Sequence, residues 1–484
     1  MPLGATWEKN RNSLPHKAYF LDSAFQKEAF TVPQEYQVCV IGLWHLGSVT
    51  AACLAEMGYS VIGVDEDTTR IAKLKVGTAP LFEPGLDALL QQGLASGRLR
   101  FTTNYADGLG GASCVWLTYD TPVNDRDEVD LTRITAAAQK IAQYLQDDAV
   151  VIVHSQVPVG TCEQLESTIR AGVPTRPFGI ACVPENLRLG RALECFRKPA
   201  MIVIGSNEEA TIDRVEALCS LLPCPKVRMN LRSAEMTKHA INSYLATCVS
   251  YINELANLCD AVGANASIVS MALRMDERVS PRAPLLPGGL GFAGATLARD
   301  LRALQALGKR VGHPTHLFDA VLEVNEEQKQ IVYRRLNALF GSLERLTVGI
   351  LGLTYKTGTS TLRRSAAIEI ARGLKNAGAT VKGYDPKAAI EELCGEDAVQ
   401  FCSSAEEVAA NSNALVIVTE WPEFKDLDFA ALGARMKDRV LIDTKNLLEP
   451  DRLRSLGYTY SDIGRGTLFE SSKTGSLNRG MVCG

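Results

Sequence analysis

Apolar positions along the chain keep two rhythms. In two blocks, short aliphatic runs closed by glycine or acid alternate with Ala/Leu-rich stretches of helical period, and between those blocks only the helical period persists. Residues 36–65, YQVCVIGLWHLGSVTAACLAEMGYSVIGVD, read as strand, glycine turn, helix, glycine stop and a second strand ending in acid, which is a βαβ unit. The runs CVWLTY, AVVIVHS, FGIACV and AMIVIG continue the alternation and predict a parallel, doubly wound sheet over 36–228. Beyond Arg232, the residues Ile241, Leu245, Cys248, Ile252, Leu255, Cys259 and Val262 recur in steps of four and three, predicting one long amphipathic helix to about Gly263. Helical pattern then runs to about residue 340, interrupted by the glycine-rich GGLGFAGATLARD at 288–300. LTVGILGLTYK, SAAIEIARGLKNAGA, TVKGYDP, ALVIVTE and RVLIDTKN restore the βαβ pattern within 341–464. The expected organisation is an extension at 1–35, an α/β domain at 36–228, an all-helical domain at 229–340, a second α/β domain at 341–464 and a tail at 465–484. The stripe on the long helix offers a surface for pairing two subunits or for packing within one.

Composition narrows the chemistry. A chain of 484 residues exceeds what one core supports, in keeping with several domains. With 46% hydrophobic and 22% charged residues and a net charge of -4, it carries no electrostatic footprint for nucleic acid, so small-molecule chemistry is expected. No apolar run is long enough to span a membrane, and MPLGATWEKNRNSLPHKAYF lacks the apolar core of a secretory signal, which predicts a cytoplasmic protein with no membrane partner. The thirteen cysteines stand singly in apolar runs and the six histidines are scattered, so the thiols read as reduced core residues and no metal site is expected.

The first βαβ unit carries most of a dinucleotide fingerprint. Such a site needs a tight turn after the first strand, backbone N–H groups open to a pyrophosphate, and an acid at the end of strand two for the adenosine ribose. Gly42, Gly47 and Asp65 supply these, but Trp44 occupies the middle glycine position in Gly42-Leu43-Trp44-His45-Leu46-Gly47. Either the indole turns away or the cofactor is displaced. An acid rather than an arginine at position 65 favours NAD over NADP, because it repels a 2′-phosphate.

From Tyr36 to Gly464 the chain resembles the UDP-glucose/GDP-mannose dehydrogenase family, whose members oxidise a nucleotide sugar at C6 with NAD. Matching segments follow in the family's order: PLFEPGL at 80–86, Thr121-Pro122, Pro184-Glu185-Asn186-Leu187-Arg188, Lys238-His239-Ala240-Ile241-Asn242, Asn253-Glu254, Gly352-Leu353-Thr354-Tyr355-Lys356, Arg363, Tyr384-Asp385-Pro386 and Thr419-Glu420-Trp421. The resemblance implies two Rossmann-like domains joined by a helical dimerisation domain. It also implies NAD held by Gly42, Trp44, Leu46, Gly47, Asp65, Arg70, Thr121, Gln156 and Arg363. A nucleotide-sugar substrate would be held by Glu185, Leu187, Arg188, Lys238, Asn242, Phe292, Gly294, Tyr355 and Lys356. Lys238 and Asn242 lie one helical turn apart, so an ammonium and an amide share a face and can hold an oxyanion. Glu185 can activate water, and Asp300 can hold or deprotonate the reacting group. His45 and His239 receive no role.

Departures from the family cluster in ligand-facing positions. Gly291-Phe292-Ala293-Gly294-Ala295-Thr296-Leu297-Ala298-Arg299-Asp300 aligns with the family's Gly-Phe-Gly-Gly-Ser-Cys-Phe-Pro-Lys-Asp, so Thr296 stands where the family has the cysteine that forms a thiohemiacetal and thioester. A hydroxyl ionises far less readily than a thiol, which leaves that covalent route poorly served. Arg299 replaces a lysine, Gln156 a threonine, Met201 and Lys445 arginines, and Ser360-Thr361 two aspartates. The expected activity is a single two-electron oxidation of a CH–OH group, releasing an aldehyde or ketone or returning the hydride, with Lys238, Asn242, Asp300, Glu185 and Thr296 as catalytic residues. The alternatives are a four-electron oxidation through the aldehyde hydrate and a non-catalytic nucleotide-sugar binder.

Overall fold

The computed structural model describes residues 37–122, 129–276, 279, 288–292, 296–363, 365–393 and 397–465. The expected extension at 1–35, the tail beyond Arg465 and the candidate residue Gly294 lie outside the described residues. Strands β1 (Gln37–Ile41), β2 (Ser60–Val64), β3 (Leu99–Thr102), β4 (Cys114–Leu117), β5 (Ala149–Val153), β6 (Phe178–Cys182), β7 (Ile202–Gly205) and β8 (Lys226–Met229) form one sheet in the order 3-2-1-4-5-6-7-8. Strands β1, β4, β5 and β6 are almost wholly buried, as their unbroken apolar runs require when helices cover both faces. Six strands keep the order expected of a doubly wound domain, with its crevice between β1 and β4.

One pairing differs from the sequence expectation. β7 meets β6 antiparallel, through Cys182 and Gly205. The chain between them is taken up by the loop through Glu185 and Leu187 and by the six-residue helix Ala192–Arg197, so no long crossover carries it back to the start of the sheet. Period and composition report a strand but not its direction.

A second sheet, β9 (Thr347–Leu351), β10 (Thr380–Tyr384), β11 (Gln400–Phe401), β12 (Ala414–Ile417), β13 (Val440–Asp443) and β14 (Thr459–Asp462), is parallel throughout in the order 11-10-9-12-13-14. Between the sheets runs the helix Leu231–Val262, opened by the Asn230 side chain accepting from the Ser233 N–H and closed by Gly263 at φ +73°. Its far end is bound to the second domain through Arg335, which reaches Asp260 at 3.1 Å and also donates to Ser461 and the Asp462 carbonyl.

The expected apolar stripe is not what this helix buries most completely. Glu235, Lys238, His239, Asn242 and Asn253 are buried, whereas Val262 is 78% exposed. Each buried polar group finds a partner distant in sequence; the Glu235 carboxylate, for example, accepts from the backbone N–H groups of Gly160 (2.6 Å) and Cys162 (2.7 Å), capping the helix Thr161–Gly172. Tyr244, Tyr251 and Leu258, spaced by seven, lie exposed along another face.

Candidate active site

At the crevice, the chain turns at Gly42 with φ +93°, and a Cβ there would sit 3.0 Å from the Tyr119 backbone nitrogen. Gly47 packs so closely under the turn that a Cβ would come within 2.0 Å of the Gly42 carbonyl oxygen. The helix His45–Glu56 starts at Trp44 with no side-chain cap, leaving its first-turn amides open toward the crevice. Asp65 accepts from the backbone N–H groups of Leu43 (2.7 Å) and Asp67 (2.9 Å) and from Arg70 Nη1 (2.7 Å). The Arg70 guanidinium lies 5.2 Å from the Trp44 ring centroid, so the indole leans toward the Asp65 end of the crevice. A carboxylate offers about four acceptor sites, and three donors leave Asp65 room for a ribose hydroxyl. Glycine turn, uncapped helix and partly free acid together fit a dinucleotide.

The turn opens into a cleft of about 550 Å³ lined from all three segments of the chain. Gly42, Trp44, Leu46, Asp65, Arg70, Thr121, Gln156, Glu185, Leu187, Thr296, Tyr355 and Arg363, all candidates from the sequence, stand on its wall. Tyr119, Asp120, Arg133 and Arg299 stand there too and were not among those candidates. Lys238, Asn242, Asp300, Arg188, Phe292 and Lys356 are not on the wall. Thr296 is exposed at the start of the helix Thr296–Val311. None of the described cysteines lines the cleft.

Lys238, Asn242 and Asp300 form a buried layer behind that wall, whereas Arg188 is exposed and Lys356 half-buried. Glu185 meets Lys238 Nζ at 3.2 Å and accepts from the Leu187 N–H at 2.7 Å. Burial alone would raise the Glu185 carboxyl, but the Lys238 ammonium and the Leu187 N–H reverse this and hold it below the ordinary carboxylate range. Asp300 is fully buried and accepts from Gln156 Nε2, Asn242 Nδ2 and His239 Nδ1, the last at 2.9 Å. Burial would push its carboxyl up, and His239, Arg299 and Asn242 outweigh that and bring it down. His239, given no role from sequence, ties Asp300 to the Val157 carbonyl oxygen at 3.0 Å. The signal for it was its spacing, since residues 239 and 242 share a helix face. His45, also without a role, meets Glu83 at 2.8 Å, and Glu83 in turn accepts from the N–H groups of Gly190 and Ala192.

In the described part of the glycine loop, Gly291 and Phe292 pack against the protein's own side chains. Gly291 is needed because a Cβ would meet Asn325 Oδ1 at 2.2 Å, and Phe292 exchanges hydrogen bonds with that same Asn325. Phe292 itself packs with Ala246, Leu301, Val321 and Leu322 in the helical core. The close approach is made by the protein's own side chain.

A glycine turn suited to a dinucleotide, opening onto a cleft whose far wall comes from a second doubly wound domain, defines a dinucleotide-binding protein with room for a second ligand. Comparisons with known proteins narrow the class. Three models of the UDP-glucose/GDP-mannose dehydrogenase family match in order: the NAD binding domain at 36–222, the central domain at 232–327 and the UDP binding domain at 349–450. A UDP-glucose 6-dehydrogenase of Bacillus subtilis is 34% identical over 89% of this chain and 93% of its own length, and one of Rhizobium meliloti is 35% identical over 89% and 99%. The solved UDP-glucose dehydrogenase of Pyrobaculum islandicum superposes with a TM-score of 0.82 at 29% identity, covering 89% of this chain and 99% of that one. The chain belongs to the UDP-glucose/GDP-mannose dehydrogenase family, and with it to the NAD-dependent oxidoreductases that act on nucleotide sugars. Among the described residues, no helix is long and apolar enough to cross a membrane, and no group of three His, Cys, Asp or Glu could hold a metal ion.

Proposed function

We propose that this chain oxidises a CH–OH group of a nucleotide-linked sugar, at C6 in the reading that best fits its relatives, and stops after one two-electron step. The observation that carries this is the cleft wall: Thr296 presents a hydroxyl there, and no described cysteine shares the wall. Without a thiol, an aldehyde has no acyl carrier of the thioester kind to take it to the acid. Bound NAD supplies the hydride acceptor. The glycine turn, Asp65, Thr121, Gln156 and Arg363 would hold it, and Leu187 and Tyr355 would hold the sugar nucleotide. Asp300, enclosed by three donors, anchors the site and leaves the carbinol proton to water in the cleft.

A second reading is favoured by Glu185, which is on the wall and held ionised beside Lys238. Such a carboxylate can draw a proton from water attacking the aldehyde, completing a four-electron oxidation without a covalent adduct. Counting NADH per molecule of sugar nucleotide consumed separates the two: one equivalent supports the truncated reaction, two equivalents with a carboxylate product sink it, and product formed with none points to hydride return. Thr296→Cys extends the test. Gain of a second equivalent by the variant ties the truncation to the missing thiol, and no gain removes Thr296 as its cause.

The same reading includes a homodimer formed along the central helix, supported by the exposed apolar row of Tyr244, Tyr251 and Leu258 continuing into Val262. A cytoplasmic setting suits a chain whose described cysteines are all unpaired.

A further inference from the structure

The two groups expected to hold the reacting oxygen are both engaged elsewhere. Lys238 is 7% exposed and pairs with Glu185, and the Asn242 amide donates to Asp300. Neither reaches the cleft wall. Four arginines do, Arg70, Arg133, Arg299 and Arg363, and of these Arg299 alone shares the helix of Thr296, one turn further along. Its Nη1 lies 3.4 Å from Thr121 Oγ1, its Nη2 donates to Gln156 Oε1, and its Nε has no hydrogen-bond acceptor among the described residues, the nearest carboxylate being Asp300 at 3.8 Å.

We infer that Arg299 is the group that binds the anionic oxygen developing on the reacting carbon, and that Gln156 is the positioning residue that aims it. The assignment rests on the dehydrogenase reading above. Gln156 is buried, and its two ends have opposite character: the carbonyl oxygen accepts from Arg299 while the amide nitrogen donates to Asp300. Threonine, with one short hydroxyl, could not span both. The two departures at positions 156 and 299 therefore touch one another and act as one change, which sets a planar guanidinium at the wall in place of a mobile ammonium. Asp300 balances the charge from behind, and His239 and Asn242 hold Asp300 in place.

The test uses Gln156→Glu, Gln156→Met, Arg299→Lys and Arg299→Met in the full chain. A protonated carboxyl at position 156 reproduces the carboxamide, accepting from Arg299 and donating to Asp300. Once ionised, it faces Asp300 as a like charge and draws Arg299 into an ion pair. The groups facing that position are Arg299 and Asp300, with His239 behind Asp300. Q156E is therefore expected to keep activity at low pH and lose about tenfold or more as pH rises, against a wild-type profile without that limb, while Q156M is impaired at every pH. Calorimetry supplies a readout apart from turnover. R299M should weaken UDP-glucuronate binding by about tenfold, the effect of losing one hydrogen bond to a charged group, while changing UDP-glucose binding far less. R299K should retain part of the difference. A Q156E profile parallel to wild type, or equal effects of R299M on the two ligands, overturns the assignment of Arg299. Wild-type protein that binds neither sugar nucleotide overturns the substrate class itself, and the Arg299 role falls with it.

Discussion

Asp300→Asn separates an anchor from a base. In the folded chain, one carboxylate oxygen takes Gln156 Nε2 and His239 Nδ1 and the other takes Asn242 Nδ2, all out of contact with solvent. An amide keeps the shape but offers one oxygen, so at best Asn242 is left facing another donor and two bonds lose their charge assistance. A hydrogen bond to a charged group contributes about 1.5–3 kcal/mol, which puts the cost near 3 kcal/mol. In a cooperative unit of about 150–250 residues, that lowers the melting midpoint by roughly 6–12 °C. The assay is a thermal melt followed by circular dichroism, beside steady-state kinetics on the same preparation. Acid should act in the same direction. Because the folded carboxyl lies below its unfolded value, its stabilisation is complete above the unfolded pKa of about 3.9 and is lost as pH falls through the lower folded value. The gap between wild type and D300N should accordingly narrow toward strongly acidic pH. A variant that melts within about 2 °C of wild type while losing turnover more than a hundredfold would show that Asp300 acts on the substrate, and would refute the anchor.

Two further outcomes follow from the geometry. Gly47→Ala places a methyl 2.0 Å from the Gly42 carbonyl oxygen, so the turn must open; NAD affinity measured by calorimetry should fall by at least about tenfold, and retained affinity would exclude this turn as the cofactor site. Tyr251→Glu sets a charge in the middle of the exposed row and, on the proposed dimer, should halve the mass seen by light scattering; a variant with the mass of the unmutated chain places any interface elsewhere.

Both βαβ units were legible because their signals are local: aliphatic run, glycine turn, helical period, second run, acid. The order of the candidate segments was equally legible, and many of their residues do meet at one cleft. Most of what sequence reasoning missed depends on contacts between residues far apart in the chain, 50 or more positions for the long helix. Period counting credits only apolar residues, so it gave the long helix a stripe through Ile241 and Val262 and overlooked that Glu235, Lys238, His239 and Asn242 are buried because Gly160, Glu185, Val157 and Asp300 satisfy them. Phe292 followed its motif neighbours into the expected binding site, whereas its side chain serves the helical core. Arg299 was visible as a substitution, but nothing in one dimension shows that the substitution at 156 is its partner.

The two α/β domains also explain how one chain assigns different tasks to the same module. Gly352 repeats Gly42, with φ +90° and an N–H donated to the end of the second strand, and Leu353 donates to Asp385 at 2.8 Å as Leu43 does to Asp65. The acids then part. Asp385 also takes the Thr354 N–H and hydroxyl, the Lys387 N–H and the Trp421 indole N–H at 2.9 Å. Four of these five donors crowd one oxygen, Oδ2, and Oδ1 takes the Lys387 N–H. Asp65 instead takes one donor on Oδ2 and two on Oδ1, Arg70 among them. The second domain meets the cleft through Tyr355, Thr361 and Arg363. The indole supplied by the segment after β12 thus packs the Oδ2 side of the second acid, where the first acid holds only the Leu43 N–H among the described contacts.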